Sequence, residues 1–206
     1  HLSTMTEEGR FSSARAEALL KNNARQETLL GQIKEILKEK GYGGLDVDFE
    51  YIRPELGAAY AAFVDRLRRE LNPLGCSVLV ALAPKTSAGQ RGLLYEAHDY
   101  AALGRAANGV LLMTYEWGYT YSAPRAISPV NEMRRVIAYA VTKMPPSKIL
   151  LGFSNYGYNW ALPWKQGQAA RVISNAAAVN LAASVYAQIK FDETAQASFF
   201  NYTDPS

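Results

Sequence analysis

The stretch "GYGGLDVDFEYI", residues 41–52, decides the fold. Within it Asp46, Asp48 and Glu50 alternate with Leu45, Val47 and Phe49. A period of two is the pattern of a β-strand, whose successive side chains point to opposite faces. The acids therefore share one face and the apolar side chains share the other. Such a strand meets an apolar layer on one side only. On the other side it needs water, partners or a ligand, because an unpaired buried charge is prohibitive.

Working outward, apolar runs alternate with helical patterns. "HLSTM" at residues 1–5 reads as a strand. "RQETLLGQIKEILKEK", residues 25–40, carries Leu29, Leu30, Ile33, Ile36 and Leu37 at helical spacing, and Gly41, Gly43 and Gly44 stop that helix. Beyond the acidic strand, "YAAFVDRLRRELNPLG" sets Tyr60, Phe63, Val64, Leu67 and Leu71 on one helical stripe. "CSVLVALAP" is a continuous apolar strand, a looser helical segment follows around residues 95–108, and "GVLLMTYEW" is the next strand. "SPVNEMRRVIAYAVTKM" is a helix with Ser128 as N-cap and Pro129 in its first turn. "KILLGFSNYGY" is the last buried strand. The tail departs from this rhythm, with a helix from about Ser174 and a hairpin in "KFDETAQASFFNYTD".

Continuous apolar strands separated by helices imply a parallel sheet covered on both faces. A doubly wound sheet and a (β/α)₈ barrel both fit the rhythm. No G-x-G-x-x-G follows a strand, so a dinucleotide site has no support. The acidic strand favours the barrel. An open sheet would press three carboxylates against an apolar helix layer. A barrel turns them inward, toward the C-terminal mouth where active sites lie.

The totals exclude other classes. The chain has 206 residues, nearly half of them hydrophobic, and a net charge of only +3 from scattered Lys and Arg. That is the balance of a globular domain, and it gives no reason to expect nucleic acid. The single Cys76 rules out a disulfide framework and reads as a buried core thiol. There is no run of eighteen apolar residues, so no membrane span is expected, and no signal-peptide pattern. His98 reads as an exposed or capping histidine, and His1 as a consequence of where the chain starts.

Same-face residues on a strand lie about 6.6 Å apart. Glu50 lies nearest the mouth, with Asp48 and Asp46 progressively deeper. Like charges this close do not all ionise comfortably, so at least one acid holds a proton at neutral pH. A glutamic acid kept protonated in this way is a general acid, and glycosidic cleavage needs such a donor at the leaving oxygen. Two other readings stand beside it: a solvated edge strand, and a Mg²⁺ or Ca²⁺ site. Acids on one strand span too far for all three to coordinate one ion compactly.

"GGLDVDFEY", residues 43–51, resembles the D-G-x-D-x-D-x-E signature of glycoside hydrolase family 18, the chitinase-like (β/α)₈ barrels. "LLMTYEWGY" resembles that family's sixth strand, "KILLGFSNYGYNW" its seventh, and "FDETAQASFFNYTD" the insertion after the seventh. Together with "YEWGYTYSAPRAISPV", the set looks closest to bacterial spore-cortex peptidoglycan N-acetylglucosaminidases. The resemblance implies that Glu50 protonates the glycosidic oxygen. Asp48 would orient the 2-acetamido group of the sugar, which itself attacks the anomeric carbon, and Asp46 would share a proton with Asp48. Tyr115 would donate to the acetamido oxygen. Met113, Glu116, Trp117 and Tyr156 would bind substrate, and other aromatics after strand ends, such as Tyr158 and Trp160, are candidates for stacking on sugar rings. No cofactor and no metal are implied. The implied partner is a polysaccharide containing N-acetylglucosamine, and the implied location is extracytoplasmic, in a bacterial spore or cell wall.

Two departures from the family pattern set further expectations. Gly43 replaces the first Asp of the signature, which predicts altered proton sharing without loss of function. Only about strands three to seven of the barrel are present, with residues 1–165 as a partial catalytic barrel and 166–206 as an α+β insertion between strands seven and eight. The remaining strands are expected from the rest of the same protein. The readings carried forward are a peptidoglycan N-acetylglucosaminidase, a chitinase of the same family, and a non-catalytic sugar-binding barrel.

Overall fold

A computed structural model of the protein describes residues 1–203. In chain order the elements are β1 (Leu2–Ser3), α1 (Ser13–Leu20), α2 (Asn23–Lys40), β2 (Gly44–Asp48), α3 (Gly57–Leu71), β3 (Ser77–Leu82), α4 (Tyr100–Ala106), β4 (Gly109–Leu112), α5 (Val130–Ala140), β5 (Ile149–Leu151), β6 (Tyr156–Asn159), β7 (Arg171–Ser174), α6 (Asn175–Ser184), β8 (Lys190–Asp192) and β9 (Ala197–Phe199). They form two compact units. One holds residues 1–113 and 136–151, the other residues 114–135 and the described residues from 152 onward.

The first unit is built on a five-stranded sheet in the order β1-β2-β3-β4-β5, every pair parallel. Spatial order follows chain order without a reversal, so the doubly wound alternative is out, since such sheets reverse at a switch point. Parallel crossovers are right-handed, so a sheet wound in one direction carries its helices on one face. This is the α/β arrangement of a barrel wall.

Burial along β2 and its continuation bears out the alternation. Leu45, Val47 and Phe49 are buried, while Asp46, Asp48 and Glu50 are part-exposed. Phe49 stacks on Tyr60 and Phe63 of α3, with ring centroids 5.5 and 5.9 Å away. Burying such a side chain stabilises by about 1.5–3 kcal/mol. The helix stripe read from the sequence, Tyr60, Phe63, Val64, Leu67 and Leu71, is buried in full. Cys76 is a buried free thiol, as expected.

The helices start where side chains satisfy their free N–H groups. Ser12, Asn22 and Asp99 accept from the backbone of Arg15, Arg25 and Ala102 at the heads of α1, α2 and α4. Gly41 closes α2 in the left-handed conformation, at φ 66°. α1 has no counterpart in the sequence reading, although Ser12 and the Ala- and Leu-rich run after it carry its signal.

Three details differ from expectation. On α2 the buried positions are Gln26, Leu30, Ile33 and Leu37, and Ile36 is half exposed. A stripe spaced 26-30-33-37 turns Ile36 to its side. Leu150 and Leu151 of β5 are nearly half exposed rather than buried. They lie at the sheet edge, with a strand neighbour on one side only among the described residues. The first residue of α5 is Val130, so Pro129 stands just before the helix, and the Ser128 hydroxyl lies 3.4 Å from that of Ser154.

The second unit contains two antiparallel hairpins, β6–β7 and β8–β9, and the short helix α6. The stretch read as one buried strand thus divides, with "ILL" in the parallel sheet and "YGYN" in a separate hairpin. Ser174 caps α6 through Ala177 N–H, and the hairpin expected near the chain end is β8–β9. Asp204, the last residue quoted for that segment, lies outside the described residues.

Candidate active site

The ladder of β2 closes at Asp48, two residues earlier than the alternation suggests. Glu50 follows in irregular backbone, and Tyr51 then takes a left-handed conformation at φ 53°. A non-glycine residue in that region is strained, and such strain concentrates at functional sites. The Tyr51 carbonyl is held by the Ser13 hydroxyl at 2.6 Å. The strand thus delivers Glu50 at its C-terminal end and turns away immediately after it. At the start of β2, a Cβ on Gly44 would meet the Ser77 carbonyl oxygen at 2.5 Å, so only glycine fits there. A Cβ on Gly43 would meet nothing within 4 Å.

The three acids form a graded series. Burial holds the Asp46 carboxyl above its usual range. Asp48 is pushed up to about 6, by burial first and by the charge of Asp46 second. Glu50 is pushed up to about 7, by burial first and by the charge of Asp48 second. The inner oxygens of Asp46 and Asp48, both Oδ1, accept no hydrogen bond from the described residues. Glu50 therefore still holds its proton in a large share of molecules near neutral pH, the state a general acid needs.

Two histidines, read from the sequence as incidental, are placed otherwise. His1 Nδ1 lies 2.8 Å from Asp46 Oδ2, and its Nε2 lies 3.7 Å from Asp48 Oδ2. His98 is fully buried, where an exposed or capping residue was expected. Its Nε2–H donates to the Phe49 carbonyl at 3.0 Å, and its Nδ1 accepts from Ala83 N–H at 2.9 Å. A lone His in a polar segment gives no sequence signal of such a role.

Met113, buried, follows β4 in the first unit and donates its backbone N–H to Leu82 O at 3.0 Å. Tyr115, Glu116, Trp117 and Tyr156 belong to the second unit. Tyr115 and Trp117 are part-buried, and Glu116 is exposed with φ at 65°, again a strained non-glycine residue. Trp117 N–H donates to Ile127 O at 3.1 Å. Tyr156 donates its hydroxyl to Glu116 Oε1 at 2.5 Å. Tyr158, a stacking candidate from the sequence, donates to the same carboxylate at 2.9 and 3.1 Å. Burial, then the Glu116 carboxylate, pushes the Tyr156 phenol well above its usual range, so it stays a donor. Side chains alternate on β6, so Tyr156 and Tyr158 share a face that continues to Trp160. Neighbouring ring centroids on that face are 5.9 and 5.6 Å apart.

Among the described residues no group of three or more acid, histidine or cysteine side chains is arranged to hold a metal ion. Among them, too, no helix is long and apolar enough to cross a membrane.

Comparison with known proteins follows the same line. The family model described as glycosyl hydrolases family 18 matches residues 6–205. The cortical fragment-lytic enzyme of Bacillus subtilis is 44% identical over 98% of this chain and 47% of its own length. The crystal structure of the spore cortex-lytic enzyme SleL of Bacillus megaterium superposes with a TM-score of 0.93 at 42% identity, over 99% of this chain and 47% of that one. A chitinase from Chromobacterium violaceum superposes with a TM-score of 0.88 at 24% identity, over 98% of this chain and 62% of that one, which shows the fold alone. The chain spans about half the length of the curated relatives it matches.

Proposed function

This chain belongs to glycosyl hydrolases family 18, and we propose that it cleaves β-linked N-acetylglucosamine in peptidoglycan, the spore cortex being the substrate, with retention at the anomeric carbon. The observation that carries the reading is Glu50, pushed up to about 7 at the end of β2 with Asp48 behind it.

In the proposed reaction the Glu50 carboxyl gives its proton to the glycosidic oxygen as the bond from anomeric carbon to oxygen breaks. The acetamido oxygen of the same sugar closes onto that carbon from the opposite face, giving a cyclic oxazolinium ion. The Glu50 carboxylate then takes a proton from the water that opens the ring at the same carbon. Two inversions give net retention, and Glu50 recovers its proton. Asp48 orients the acetamido N–H and balances the positive charge of the ring. Its own raised pKa, about 6, leaves it largely ionised at neutral pH. Asp46 modulates Asp48, Tyr115 donates to the acetamido oxygen, and Met113, Glu116, Trp117 and Tyr156 contact sugar.

The cortex-lytic names of the most similar relatives support peptidoglycan over chitin, and with it an extracytoplasmic place of action in spore or wall. We read the five parallel strands as strands three to seven of an eightfold barrel, residues 1–165 as barrel wall and 166–206 as insertion. The other strands come from the rest of the same protein. A chitinase of the same family is the second reading.

Cortex fragments and chitin oligomers given to the intact protein separate the two readings. Release of reducing N-acetylglucosamine ends from cortex alone supports the first, and turnover of chitin alone overturns it. Glu50→Gln abolishes turnover under either reading. Sugar binding without turnover by the unaltered protein would establish the non-catalytic barrel instead.

A further inference from the structure

The first unit holds a buried polar cluster that the proposed reaction does not use. Its centre is His98, 1% exposed. The ring bridges two strand ends: Nε2–H donates to the carbonyl of Phe49, the residue before Glu50, and Nδ1 accepts from Ala83 N–H just past β3. One donor and one acceptor are both in use, which only the neutral ring with its proton on Nε2 satisfies. Burial keeps the ring neutral by pushing its pKa down to about 4. Lys85, also buried, donates through Nζ to the carbonyls of His98 and Tyr95, each at 3.1 Å, and so anchors the segment that carries the ring. The Tyr100 hydroxyl donates to Ala83 O at 2.7 Å and accepts from Lys85 N–H at 2.8 Å, which fixes the far side of the bridge.

Glu50 lies beyond the last ladder residue of β2, so no strand pairing holds its backbone. We infer that His98 is a positioning residue, which sets the place and burial of Glu50 by clamping the Phe49 carbonyl to the end of β3. The inference rests on the reading of Glu50 as the general acid. It follows that loss of the clamp costs transition-state geometry rather than substrate affinity. It also lets water reach Glu50. Burial is the main cause of the raised Glu50 pKa, with the Asp48 charge second. Lys85 acts on the His98 ring, Asp99 and Glu96 act on Lys85, and Asp48 acts on Glu50, and none of these is altered by a change at position 98.

The test compares His98→Gln with His98→Leu in the intact protein. A glutamine amide offers one acceptor and one donor at a spacing close to that of the ring nitrogens, whereas leucine offers neither. For His98→Leu, kcat falls by about 10- to 100-fold, the range for a small displacement of a reacting group. KM stays within about twofold, and the alkaline limb of the kcat profile moves to lower pH. His98→Gln restores most of the rate and the position of the limb. A folded His98→Leu protein with wild-type kcat and an unmoved limb overturns the inference. So does a lowered melting temperature with an unchanged pH profile. If His98→Leu does not fold, ¹⁵N spectra of the unaltered protein decide. A persistently neutral ring protonated on Nε2 supports the clamp, and an imidazolium at neutral pH overturns it. Glu50→Gln run in parallel separates the two ideas. Retained turnover there removes the general-acid reading, whereas loss there with an indifferent His98→Leu removes only the clamp.

Discussion

Two carboxylate sites in this chain are built in opposite ways. Along β2 and its continuation three acids crowd one another on one face, part-buried, and the inner oxygens of Asp46 and Asp48 receive no donor from the described residues. In the hairpin unit a single exposed acid, Glu116, receives three contacts from two tyrosine hydroxyls. The first arrangement makes the charged form costly and raises the pKa of each acid, most of all that of Glu50. The second surrounds a carboxylate with donors and holds its orientation. One is suited to giving a proton and the other to accepting hydrogen bonds from a ligand. The difference lies in the neighbours, since Glu50 and Glu116 are the same side chain.

Glu50→Gln tests the first arrangement at its strongest point. It should lower kcat by at least about 10³-fold, within the range general acid catalysis supplies together with a lost proton relay. Folding should be intact by circular dichroism, because glutamine fits the same space. Turnover of the unaltered protein should fall about tenfold per pH unit above roughly pH 7, because Glu50, pushed up to about 7, must be protonated to act.

Asp48→Asn comes next, with a fall in kcat of about 10- to 100-fold. The Asp48 charge raises the Glu50 pKa, so its removal should lower that pKa and move the alkaline limb to lower pH. A pH–rate profile of the variant measures this directly. An unmoved limb would break the idea that the acids are coupled along the strand.

Gly44→Ala probes the backbone beneath the acids. Its Cβ would lie 2.5 Å from the Ser77 carbonyl oxygen, so β2 and β3 must separate, at a cost of about 1–3 kcal/mol in denaturant unfolding. Gly43→Ala, with open space around its Cβ, should cost much less, and the contrast is the measurement.

The smallest effect is expected in the hairpin unit. Tyr158→Phe removes one donor from Glu116 and leaves Tyr156 in place. It should raise KM about two- to fivefold with kcat nearly unchanged, in line with one exposed hydrogen bond to a charged group. A fall in kcat instead would mean that the two carboxylate sites are not functionally distinct.

Much of this is legible in the sequence. Alternation over residues 45–50 predicted the apolar and acidic faces of β2, because side-chain direction on a strand depends only on parity. The α3 stripe was legible for the equivalent reason at helical period. The exposure of Leu150 and Leu151 was not, because it depends on which strands flank β5. Nor was the division of residues 148–158 between a parallel strand and a hairpin, since an apolar run does not say which partner its backbone will pair with.

The sequence by itself determined the periodicities, the order of strands and helices, and the acids that face away from the helices. Each of these follows from the local geometry of the backbone. Tertiary structure alone decided that Asp48 is raised to about 6 and Glu50 to about 7, that Tyr156 and Tyr158 converge on Glu116, and that His98 joins Phe49 to Ala83. Burial and hydrogen bonding depend on groups distant in the chain. His98 and Phe49 stand 49 residues apart, a separation no local pattern spans.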